Sequence, residues 1–112
     1  MNNFSFFTTT MPSTRKADYY LGCLDSSVYI DFNDIDNGLI CLKRISFDGY
    51  GCCNVDENVK PMNKKDSMNF KRLFAEDLVN EDEFAEIIKR TFNENKDILW
   101  DDALTEYGFI DV

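Results

Sequence analysis

The side chains able to do chemistry in this 112-residue chain are its carboxylates and its four cysteines, because it contains no histidine. That absence removes Ser-His-Asp and Cys-His catalysis, His-ligated zinc and the usual proton carrier near neutral pH. A cysteine nucleophile without His needs a helix N-terminus or close cations to lower its pKa. Cys52-Cys53 has only the distant Lys43 and Arg44. The remaining thiols are Cys23 and Cys41, and with two of the four adjacent the spacing suits neither paired zinc knuckles nor a disulfide framework. Reduced, buried cysteines are expected.

The run Asp31, Asn33, Asp34, Asp36, Asn37, Gly38 invites a calcium loop, since alternating oxygen ligands before a Gly define the EF-hand. The register fails. With Gly38 at the sixth position the third ligand would be Ile35, and Arg44 stands where the bidentate Glu belongs. Gly49-Tyr50-Gly51 lacks the third Gly, and the Lys-Ser/Thr, of a phosphate loop. Paired carboxylates for acid–base work discriminate nothing among 21 acidic residues. No metal, no cofactor and no enzymatic activity are expected, and an enzyme ranks third among the functional readings.

The elements that must position these residues follow from apolar spacing. In Val28-Tyr29-Ile30-Asp31-Phe32 the apolar residues share one face and Tyr29 and Asp31 the other, as in a half-buried strand. Asn37-Gly38 is the pair that most readily takes positive φ in a tight turn, with Asp34-Ile35-Asp36 able to lengthen the loop. Leu39 to Phe47 returns as a strand. Phe4 to Thr10, Lys16 to Leu24 (either a strand or a short helical turn) and Tyr50 to Val55 complete the strand signals. After the polar connection around Pro61 the spacing becomes helical. Phe70, Leu73, Phe74 and Leu78 follow a cap at Asp66 or Ser67, and Phe84, Ile87, Ile88, Thr91 and Phe92 follow Asn80-Glu81. Asp97 caps a third helix with Trp100, Ala103, Leu104 and Tyr107 on its core face and Gly108 as its stop. The expectation is one α+β domain over residues 1–112, with strands about 4–55 and helices about 67–108. An antiparallel sheet of four to five strands would carry two to three helices on one face.

A chain with 21 acidic and 12 basic residues, net −9, is not expected to bind nucleic acid or an anionic membrane directly. No apolar run approaches the ~20 residues of a membrane span. Phe4, Phe6 and Phe7 give way at once to Thr8-Thr9-Thr10 rather than continuing as a signal sequence. A cytoplasmic protein is expected. Charge is uneven: residues 58–75 carry five basic groups against Asp66, whereas residues 76–112 carry twelve acidic groups against Lys89, Arg90 and Lys96. Such a surface either keeps the chain in solution or meets a basic partner, where complementary fields speed association. Glu81, Asp82 and Glu86 on the second helix and Asp101, Asp102 and Glu106 on the third are the expected contact residues. Asp31, Asp34 and Asp36 at the hairpin are the alternative.

In size, charge and the acidic stretches Asp31 to Asp36, Glu81 to Glu86 and Asp97 to Asp111, the chain resembles small bacterial immunity proteins, the cognate inhibitors of toxins. The resemblance is one of class and carries no family motif. It implies tight binding to a basic toxin domain, often a nuclease. The alternative is a phage-type acidic inhibitor that mimics nucleic acid to block a host enzyme.

Overall fold

Ile30 and Phe32 alternate with Tyr29 and Asp31 along β2 (Val28–Asp34), and both are at most 1 % exposed. β3 (Ile40–Phe47) returns antiparallel beside it, placing Leu42 opposite Phe32 and Ile45 opposite Ile30. An odd count separates Leu42 from Ile45, and a bulge resolves it: Asp31 pairs with Arg44 while Phe32 pairs with Leu42, so Lys43 is the extra residue. The inward positions therefore switch from even to odd, and Ile40, Leu42 and Ile45 all reach the core. Lys43 is left exposed. The computed structural model describes residues 18–24, 28–47, 51–54, 58–76, 82–100 and 102–111. The expected strand at Phe4 to Thr10 lies outside them.

The turn of this hairpin follows the sequence expectation. Asn37 and Gly38 have φ of 77° and 76°, and the loop is lengthened, with the Ile35 N–H donating to the Leu39 carbonyl at 2.8 Å. β1 (Tyr19–Leu24) pairs with β2, and β4 (Gly51–Asn54) pairs with β3, giving the order β1-β2-β3-β4, antiparallel throughout. Tyr19 lies opposite Phe32 and sets its ring edge-on against Phe70 and Phe74, at 5.3 and 5.2 Å. A second irregularity, at Leu21, lets that residue also join the core.

α1 (Lys64–Ala75) starts earlier than the apolar pattern suggests. Its cap is Asn63, whose Oδ1 accepts from the Asp66 N–H at 2.7 Å, so Asp66 is the third residue of the helix rather than its cap. Lys64-Lys65 adds two solvated residues that carry no periodic signal. Ser67 is likewise no cap: its hydroxyl accepts from the Ile40 N–H at 3.0 Å and donates to the Met62 carbonyl at 3.3 Å. The Met62 N–H donates to the Ile40 carbonyl at 2.8 Å, so both backbone groups of Ile40 are satisfied by the approach to α1.

α2 (Asp82–Glu94) buries Phe84, Ile87, Ile88, Thr91 and Phe92, the stripe read from spacing. The cap proposed at Asn80-Glu81 lies outside the described residues. Phe84 stacks on Phe70 at 5.2 Å, joining both helices to the strand residues in one core. The single third helix is a correction. The chain forms α3 (Lys96–Leu99), leaves helical geometry at Trp100 (φ −55°, ψ 129°) and restarts as α4 (Asp102–Glu106). Leu99 and Leu104 are buried, but Trp100 is 56 % exposed and is not a core residue. Gly108 stops α4 as expected, with φ 85° and the Phe109 N–H donating to the Leu104 carbonyl at 2.9 Å.

Two Asn side chains close the helical half. The buried Asn95 accepts from the Lys60 N–H at 2.6 Å and donates to the Lys60 and Thr91 carbonyls at 3.1 and 2.9 Å. Asn93 donates to the Phe109 carbonyl at 3.2 Å and accepts from the Asp111 N–H at 2.9 Å. The segment after α4 is thereby pinned to the C-terminal end of α2, where Phe109 meets Phe92 at 4.8 Å.

Candidate functional site

The carboxylates divide by whether the fold itself uses them. Asp34 does internal work: Lys71 of α1 lies 3.0 Å from its Oδ1, and the Tyr19 hydroxyl donates to its Oδ2 at 3.3 Å. Burial, then the charge of Asp34, pushes the Tyr19 hydroxyl above the usual tyrosine range. Asp18 accepts from the Asn33 Nδ2 at 3.0 Å and the Asp34 N–H at 2.9 Å, and these bonds hold its carboxyl below the ordinary value of 3.8. Asp31 is 2 % exposed, between Tyr20 and Arg44 in the strand register. This corrects the expectation from the alternating pattern, which put Asp31 on the face away from the core and among the alternative contact residues: buried, it is not available to a docking partner. The backbone of Asp36 lies in the turn Asp36–Gly38. Asp31 and Asp34 thus do not form one presented patch, since one is buried and the other is held by Lys71.

In the helical half, Arg90 grips Asp66 and Lys89 meets Asp111 at 3.1 Å. Arg72 stands 3.8 and 3.7 Å from Glu76 and Glu83. Asp82, Glu86, Glu94, Asp97, Asp102 and Glu106 are exposed and form no ion pair with any described residue. Glu86 and Glu94 stand one turn to either side of Arg90 and add to the shift of its pKa, which is raised chiefly by its hydrogen bonds to Asp66.

Of the expected contact residues, Glu81 and Asp101 lie outside the described residues. The other four do not form one cluster. Asp82 occupies the first turn of α2, ~16 Å along the helix axis from Asn93, at which the segment after α4 is tied. Glu86 lies between, in a shallow groove of about 390 Å³ shared with Lys89, Arg90, Asn93, Glu94 and Asp111. Asp102 and Glu106 stand on α4 with Asp97 on the neighbouring α3. Glu94 and Asp97 belong with the unpaired set although neither is among the expected contact residues: Asp97 is read from sequence as a helix cap, whereas α3 already begins at Lys96, and the signal for Glu94 is the scarcity of basic residues after Arg90. The position of Trp100 had no such signal, because its spacing matched a core stripe.

Among the described residues no group of three or more Cys, Asp or Glu side chains is placed to hold a metal ion, and no helix is long and apolar enough to cross a membrane. No protein-family model, no curated protein and no solved structure matches the chain.

Proposed function

We propose that the protein is an immunity protein that binds and neutralises a basic bacterial toxin domain, a nuclease by preference, through the carboxylates of its helical half. The observation that carries this reading is the exposed set Asp82, Glu86, Glu94, Asp97, Asp102 and Glu106, none of which is paired within the described residues. Like charges left unpaired repel one another and slightly oppose the compact state. A cationic partner removes that repulsion, and the same field steers its approach. The reading extends to Glu81 and Asp101, next in sequence to Asp82 and Asp102. In it the sheet, of four to five strands, is the scaffold, and the helices cover one of its faces and turn their acidic surfaces to the toxin in the cytoplasm.

Co-expression with the toxin encoded beside its gene tests this. Restored growth, together with an equimolar complex in which nuclease activity is lost, supports the reading. Undiminished toxicity with no complex on gel filtration overturns it.

A further inference from the structure

We infer that Trp100 is the anchor of the acidic surface and that it receives an arginine-rich segment of a protein partner. The inference rests on the reading of the helical half as an acidic interface and names an apolar anchor for its α3–α4 part. Trp100 is the chain's only tryptophan and is 56 % exposed. Its extended backbone interrupts the helical path between α3 and α4. Leu99 takes the inward position at 2 % exposure, while Ile98, on its other side, is 37 % exposed. An indole left half in water is costly for a residue of such large apolar area, and tryptophan is the type most enriched at the centres of protein interfaces.

The short helices that flank Trp100 in the chain select the occupant by charge. Asp97, Asp102 and Glu106, the exposed acidic groups of α3 and α4, form no ion pair with described residues, and Lys96 is the one basic residue between Thr91 and Asp111. A guanidinium can lie on the indole face and also give paired N–H bonds to carboxylates, whereas an ammonium supplies a point charge only. An acidic partner meets repulsion, and a purely apolar one leaves the carboxylates desolvated without partners.

Because Trp100 is the only tryptophan, its emission reports this position alone. The test titrates the full chain with octa-arginine, octa-lysine and octa-glutamate at low salt, following emission, acrylamide quenching and heat. Octa-arginine is expected to change the emission and shield Trp100, to bind about tenfold tighter than octa-lysine, and to weaken about tenfold with Trp100→Ala. Trp100→Phe should recover part of that loss, and neither variant should lower the melting temperature. Calorimetric binding undiminished in Trp100→Ala overturns the anchor and leaves the acidic interface standing. Absence of binding by both oligocations overturns the interface reading itself. Emission that depends on protein concentration, with a dimer in sedimentation, makes a second copy the occupant and overturns the arginine-rich one.

Discussion

Arg90 of α2 holds Asp66 of α1 by two parallel hydrogen bonds, Nε to Oδ2 at 3.1 Å and Nη2 to Oδ1 at 2.8 Å. The Asp66 side chain is 9 % exposed and the Arg90 side chain 51 %, so the carboxylate has lost its water while the cation keeps much of its own. Removing the cation is thus the damaging change. Arg90→Ala should cost ~1–3 kcal/mol in urea unfolding, because it leaves the buried carboxylate with the Asn63 Nδ2 donor at 3.3 Å in place of the guanidinium. The double change with Asp66→Asn should recover part of that loss. Additive losses would show that the pair is not coupled.

Phe84 and Phe92 are fully buried, one against Phe70 and the other against Phe109. Truncating either to Ala should cost ~3–5 kcal/mol by cavity formation, a large fraction of the stability of a domain this size. Wild-type denaturant midpoints in either variant would contradict the packing of α2 described above.

Asp18 links the start of β1 to the end of β2, and its carboxyl is held below 3.8 by Asn33 and the Asp34 N–H. A carboxylate depressed on folding contributes stability above its unfolded value and loses it as pH falls through the folded one. Stability should therefore drop as pH falls below about 5 and on through the lowered Asp18 midpoint, with a shallower slope in Asp18→Asn. An NMR titration should place the Asp18 midpoint below 3.8, and Asn33→Ala should move it back up. A midpoint unchanged by Asn33→Ala would remove the hydrogen bond as the cause.

Cys41 is a free, partly buried thiol near the Val59 carbonyl, and burial raises its pKa above the ordinary 9.0 despite Lys43. Native protein at neutral pH should therefore alkylate slowly at Cys41 and rapidly once unfolded in urea. Equal rates, read by mass spectrometry of the labelled peptide, would contradict this environment.

The parts of the fold legible in the sequence are those where local and global preferences agree. Asn37-Gly38 takes the positive φ its residue types favour, and the α2 stripe from Phe84 to Phe92 is buried as its spacing demands. What the sequence hides are choices made by tertiary contact. Asn63 caps α1 before any apolar residue announces the helix, and Asn95 spends its side chain on Lys60, thirty-five positions away. Trp100 fits a helical stripe but sits at an extended residue, so periodicity alone put it inside. The acidic character of the surface was legible from composition. Which carboxylates remain unpaired was not, because Lys71, Lys89, Arg72 and Arg90 choose their partners across elements or within them only once the chain is folded.

The most direct measurement of the proposed function is the association rate with a purified basic toxin domain that the protein neutralises in co-expression, by stopped flow over a range of salt. It compares the wild type with the pair Asp102→Lys and Glu106→Lys, the pair Asp82→Lys and Glu86→Lys, and Asp34→Lys alone. The acidic helical surface predicts association slowed by about tenfold or more, and a flattened salt dependence, for the α2 and α4 pairs. Little change is predicted for Asp34→Lys, because that carboxylate is already neutralised by Lys71. Association and salt dependence unchanged in both helical pairs would contradict the account.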